Sequence, residues 1–105
     1  MVTLTFIFNK DRIDKLGYTE DELLRPMREH AKKYNIVESS NGVFSKDGED
    51  ALCVISMAIP QITDENPEYI DLLDEWTLNV DGEKEDCIQE TREWFQEHGL
   101  QATLE

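Results

Sequence analysis

The sequence predicts an α+β domain with a ferredoxin-like plan, a two-layer sandwich with two main helices on one face of a largely antiparallel sheet and an extra hairpin. Three observations carry this expectation. Val2, Leu4, Phe6 and Phe8 alternate with Thr3, Thr5 and Ile7, the period-2 pattern of a strand with one face on a core. Apolar residues then recur at helical spacing after a capping signal at residues 19–22, and a second helical stripe fills residues 83–98. The resulting order, β-α-β-β-(short α)-β-α-β, contains a repeated split βαβ plan.

Each element has a local reason. In Thr19-Glu20-Asp21-Glu22 a hydroxyl and a carboxylate three residues apart can satisfy backbone N–H groups that lack intrahelical partners. Leu23, Leu24, Met27, Ala31 and Tyr34 mark the apolar side of the helix that follows, and Asn35 is placed to end it. Pro26 removes one N–H bond and crowds the Glu22 carbonyl, which predicts a kink or a break into two short helices. Asn41-Gly42 and Asp47-Gly48 are turn dipeptides, because glycine accepts positive φ, and they predict a hairpin leading into a central strand over Ala51–Ile59. Its near-continuous apolarity suggests cover on both faces, although nine residues alone do not exclude a helix. Asn66-Pro67 opens a short helical segment, and Trp76, Leu78 and Val80 alternate as another strand. Asp81-Gly82 then turns the chain into residues 83–98, where Cys87, Ile88, Thr91, Trp94, Phe95 and His98 form the apolar stripe. Gly99 ends that helix, and Leu100, Ala102 and Leu104 predict a closing edge strand.

Length and composition fit one domain over residues 1–105, of 12.2 kDa. Cys53 and Cys87 lie in apolar patterns without C-x-x-C spacing and read as free buried thiols, as expected of a cytoplasmic protein. The apolar start, Met1–Phe8, is too short for a signal peptide or a membrane span. The net charge is −14 and unevenly spread: residues 1–46 carry eight Lys/Arg against seven Asp/Glu, residues 47–105 two against seventeen. A field of that sign repels nucleic acid and anionic lipid and attracts basic protein surfaces.

Catalytic and cofactor chemistry finds little support. The only histidines are His30 and His98, neither cysteine has an adjacent base, and no H-E-x-x-H, G-x-G-x-x-G or P-loop pattern occurs. Asp64, Asn66 and Glu68 start like a calcium loop, but Tyr69 stands where such a loop requires glycine. No metal or cofactor is expected, and the chain reads as non-enzymatic.

The feature that stands out is a row of carboxylates. On the helix read over 83–98, Asp86, Glu90, Glu93 and Glu97 recur on one side, away from the apolar stripe. Like charges at this spacing cost about 0.2–0.5 kcal/mol per pair. Either they form a solvated face that keeps a small domain soluble, or they form a binding surface on which carboxylates four residues apart rise by about 6 Å, a spacing that suits a row of Lys/Arg. Asp71, Asp74 and Glu75 extend the same surface if the preceding segment is helical.

Three stretches, GYTEDELL (17–24), DGEDALCVISM (47–57) and LNVDGEKEDCIQETREWF (78–95), together resemble small acidic proteins of unknown function encoded on mobile genetic elements of Gram-positive anaerobic bacteria. The resemblance brings no catalytic or binding residues with it. It implies an accessory gene on a transferable element, a setting in which small acidic inhibitors of host defence nucleases recur. The expected function is therefore binding to a basic, nucleic-acid-handling protein surface, as an anti-restriction or anti-CRISPR type inhibitor. The alternative is a ligand-sensing or homo-oligomeric module that uses the open sheet face, lined by Thr3, Thr5, Thr77, Asn79, Gln101 and Thr103.

Overall fold

The computed structural model describes residues 1–97. Alternation in the first strand, β1 (Val2–Phe8), buries Val2, Leu4, Phe6 and Phe8 and turns Thr3, Thr5 and Ile7 to the other face. There follow α1 (Lys10–Leu16), α2 (Glu20–Tyr34), a hairpin of β2 (Val37–Ser40) and β3 (Val43–Lys46), α3 (Ala51–Ser56) and α4 (Ala58–Glu65). A 3₁₀ helix (Pro67–Leu72) leads into β4 (Leu73–Val80), β5 (Glu83–Asp86) and α5 (Cys87–Glu97).

The five strands form one open sheet in the order β2-β3-β1-β4-β5, with every neighbouring pair antiparallel. The mixed α+β class, the antiparallel sheet and the hairpin are as expected. The ferredoxin-like connection is not what the sheet displays, because a βαβ unit sets its two strands parallel and no such pair exists among the described strands. Among the described residues five α-helices take the place of the two main helices expected.

The central strand expected over Ala51–Ile59 is helical, and the reason lies in both the sheet and the sequence. Both edges of β1 are already occupied, by β3 and β4. Ala51, Val54, Ile55 and Ala58 are buried at helical spacing, whereas Leu52 and Cys53 are exposed. Pro60 falls in the first turn of α4, where a missing N–H costs no intrahelical bond. Cys53 is therefore an exposed thiol and only Cys87 is buried.

α1 arises from a stretch with little apolar signal. The Asn9 side chain accepts from the Arg12 N–H at its start, and Gly17, at φ 80°, closes its end. α2 starts as predicted, with the Thr19 hydroxyl accepting from the Glu22 N–H at 3.2 Å, and ends at Asn35 with φ 56°. It runs unbroken through Pro26, held by the burial of Leu23, Leu24, Met27, His30 and Ala31.

Phe6 is the hub of the core. Its ring lies 5.7 Å from Phe44, 6.4 Å from Tyr69 and 5.5 Å from Trp76, drawing together β1, β3, the 3₁₀ helix and β4. The buried Tyr69 hydroxyl donates to the Leu23 carbonyl at 2.6 Å, and burial pushes its pKa upward. Gly42 turns the first hairpin at φ 80°, its carbonyl accepts from the Phe6 N–H, and a Cβ there would lie 2.8 Å from the Phe6 carbonyl oxygen. Asp81 and Gly82 both have positive φ, as a tight type I′ hairpin between β4 and β5 requires. The strand expected over Leu100, Ala102 and Leu104 lies outside the described residues, as do His98 and Gly99.

Candidate functional site

The acidic region begins one element earlier than the sequence suggests. Residues 83–86 pair with β4 as an edge strand, so the last helix starts at Cys87 rather than at residue 83. Asp86 is consequently a cap: its Oδ1 accepts from the N–H groups of Ile88 at 3.0 Å and Gln89 at 3.2 Å. Glu90, Glu93 and Glu97 are exposed on α5, and Gln89 donates to Glu93 at 3.1 Å. The Glu90 carboxyl is held above the usual carboxylate range, first by partial burial and then by the charges of Glu85, Glu93 and Asp86. Among the described residues, none of these carboxylates belongs to an ion pair.

Asp71 does not extend this surface. It is 4% exposed, and its Oδ1 accepts from Arg92 Nη2 at 2.7 Å while its backbone carbonyl accepts from Arg12 Nη1 at 2.7 Å. A carboxylate that far from water requires a cation, and the 3₁₀ helix presents it to α5. The pair also removes Arg92, the one basic residue of α5, from the charge balance of the helix surface. Asp74 and Glu75 are exposed but belong to β4, not to a helix. Asp74 accepts from Asn9 Nδ2 at 3.1 Å, and Glu75 stands opposite Ile7 on the open sheet face. A shallow depression of about 270 Å³ between β4 and β5 nevertheless joins Asp74 and Glu75 to Glu85 and Asp86, with Lys84 among them.

Beside the acidic surface runs a groove that the sequence did not reveal. It lies between α4 and α5 and encloses about 300 Å³. Ile59 and Pro60 line one side and Trp94 the other, over buried Thr63, Cys87 and Thr91, with the carboxylates of Asp64 and Glu90 at its rim. The Thr63 hydroxyl donates to the Ile59 carbonyl at 3.0 Å, which satisfies it within α4. Burial, with Glu90 nearby, pushes the Cys87 thiol up to about 12, far from a reactive thiolate. The sequence pattern assigned Trp94 to the core stripe, whereas the indole is 44% exposed.

Two other places bear on the predicted histidine and sheet-face residues. A depression of about 400 Å³ between α2 and α4 carries both signs of charge, from Arg25, Lys33, Glu22, Glu29 and Glu65. Its His30 ring nitrogen is hydrogen-bonded to the Val54 carbonyl at 2.7 Å. On the open sheet face Thr3, Thr5, Thr77 and Asn79 are half-buried, with Thr3 Oγ1 3.1 Å from Ser45 Oγ. Gln101 and Thr103 lie outside the described residues. Among the described residues no cluster of three His, Cys, Asp or Glu side chains has the arrangement of a metal site, and no helix is long and apolar enough to cross a membrane.

Fold and surface together define an α+β protein whose open antiparallel sheet ends in an acidic strand and helix beside an apolar groove. The chain matches no family model, no curated protein and no solved structure, so its function is read from its own geometry.

The acidic crowding has a pH signature. A carboxyl whose folded-state pKa is raised opposes folding when charged, so Glu90 makes the fold more stable as pH falls through its raised folded value toward the ordinary carboxylate value. Glu38 works the other way. Arg28 donates to its two oxygens at 2.9 and 3.1 Å and lowers its pKa below 4.5, so its contribution is present above that value and lost as pH falls through the folded one. Melting temperature should therefore rise slightly on mild acidification, as Glu90 takes up its proton, and fall in stronger acid, as Glu38 takes up its own. Glu90→Gln should flatten the rise and stabilise the neutral protein by about 0.5 kcal/mol or less. A rise that persists unchanged in the variant would show that Glu90 is not its source.

Proposed function

We propose that this protein is a non-enzymatic interaction module whose β5–α5 surface binds a basic, nucleic-acid-handling protein and keeps nucleic acid off it. One observation carries the reading: Glu85, Asp86, Glu90 and Glu93 crowd together outside any ion pair among the described residues, while Arg92 is bound to buried Asp71. A surface that retains mutual repulsion has something to gain from an incoming row of cations. Complementary charge of this kind accelerates encounter and selects partners, and it weakens steeply with salt. The likeness to proteins of mobile elements favours a host defence nuclease of restriction or CRISPR type as the partner.

The test uses Glu90→Lys, Glu93→Lys and Glu97→Lys together, leaving Asp86 in place because it caps α5. Circular dichroism checks that the variant folds. Wild type should retain a nucleic-acid-binding protein at low salt, lose it at high salt, and be displaced by duplex DNA. The triple variant should lose it by at least about tenfold in affinity, since each reversed charge replaces an attraction with a repulsion. Binding that ignores salt, or that tolerates bound DNA, overturns the reading.

A second reading has its own support. Ile7 is exposed on the same open face as Thr3, Thr5, Thr77 and Asn79, and a partly apolar sheet face is suited to a small ligand or a second copy. A concentration-dependent dimer in sedimentation, abolished by Ile7→Lys, would favour this face over the acidic one.

A further inference from the structure

The α4–α5 groove and the acidic surface share Glu90, so one partner can engage both. Resting on the basic-partner reading above, we propose that the groove receives the apolar side of a short cationic amphipathic helix, whose Lys or Arg residues meet Asp64, Glu90 and Glu93. The apolar half of this requirement comes from Ile59, Pro60 and Trp94, which line a groove of about 300 Å³, the lower end of small-molecule cavities and of a size for side-chain anchors rather than a nucleotide cofactor. The cationic half comes from the rim. Both charged side chains that line the groove are carboxylates, Asp64 and Glu90, and Glu93 stands one turn further along α5.

Charge also selects among occupants. A second copy of this chain would bring another −14 to an acidic rim, and an anionic lipid surface would be repelled in the same way. A helix laid in a groove uses apolar anchors at i, i+3 or i+4 and i+7, and its other positions are then available for the flanking cations. An exposed tryptophan beside a pocket is the side chain most often found to dominate binding of this kind.

Three synthetic helical peptides of equal length separate the contributions. One has leucine at the anchor positions and lysine elsewhere, the second replaces leucine with serine, and the third keeps leucine and replaces lysine with glutamine. The full chain should bind the leucine–lysine peptide at least about tenfold more tightly than either of the others. Trp94→Ala should remove that advantage while changing affinity for the serine–lysine peptide by less than about twofold. Amide shifts of Ile59, Thr63 and Thr91 in the wild-type protein should respond to the leucine–lysine peptide alone, which keeps the inference testable if the variant folds poorly.

Equal binding of the two lysine peptides overturns the groove proposal and leaves the acidic-surface reading standing. Equal binding of the two leucine peptides overturns both, because charge would then play no part. Failure of all three also overturns both. A dimer whose interface includes Trp94 would assign the groove to a second copy. Nuclear Overhauser contacts from Leu100 or Leu104 to the Trp94 indole would assign it to the chain's own last residues. Either result overturns the proposal.

Discussion

Phe6→Ala is expected to destabilise the protein by about 3–5 kcal/mol, enough to consume much of the roughly 5–15 kcal/mol that holds a domain of this size together. The ring sits in the middle strand of the sheet, 4% exposed, with Phe44 and Tyr69 edge-on and Trp76 tilted against it. Truncation removes the buried surface and leaves a cavity whose walls belong to four separate elements, so no single shift can close it. Phe6→Leu keeps most of the volume and should cost about half as much or less. Urea unfolding of both variants checks this. A cost below about 1.5 kcal/mol for Phe6→Ala would mean that the aromatic cluster repacks, and the hub role assigned to Phe6 would be wrong.

Arg92→Ala is expected to cost about 3 kcal/mol, because it strands the Asp71 carboxylate in the interior without its cation. The figure is at the low end for buried pairs, since the Arg92 side chain is 35% exposed. The pair is therefore asymmetric. Asp71→Asn leaves a guanidinium with access to water and should cost only about 1 kcal/mol. Asp71→Leu combined with Arg92→Ala should recover most of the loss, since neither charge then remains. If Asp71→Asn proves the more damaging single change, the interior is wetter at Asp71 than its burial indicates. The same substitutions bear on function: Arg92→Ala leaves the exposed carboxylates of α5 intact, so it should weaken the fold without weakening attraction to a basic partner.

What the sequence made legible follows the strength of its local signals. β1 alternates over seven residues, α2 has Thr19 at its head and Asn35 at its foot, and both hairpins have glycine where the turn requires positive φ. These are backbone and capping rules that act over a few residues. The failures lie where tertiary context decides. Nothing within Ala51–Ile59 states that both edges of β1 are already taken, so an apolar run of strand-like length became two helices. The paired alanines, Ala51 and Ala58, one either side of Val54 and Ile55, were the helical signal present there. α1 buries only Ile13, too little to register as a period.

The candidate site divides along the same line. Glu90, Glu93 and Glu97 follow from helical spacing alone and are exposed on α5 as expected. Asp86 was misplaced because Glu83–Asp86 is made strand by pairing with β4, against its composition. Asp71 carries no mark in the sequence that distinguishes it from its exposed neighbours; its burial depends on Arg92, twenty-one residues later. The groove needed α4, and the first residues of α4 lie in the run that the sequence presents as strand.

The two outer strands of the sheet are protected by different means. On β2 the register shifts between Glu38 and Ser40, and Glu38 is fastened to Arg28, so that margin is irregular by construction. On β5 the pairing is regular and the protection is charge, with Glu83, Lys84, Glu85 and Asp86 all exposed. Replacing Glu83 and Glu85 with glutamine therefore removes most of the guard from β5 and leaves the bulged margin of β2 as it was. A sheet with one available margin joins a second sheet edge to edge through that margin and is then complete, so association of such a variant ends in pairs rather than fibres.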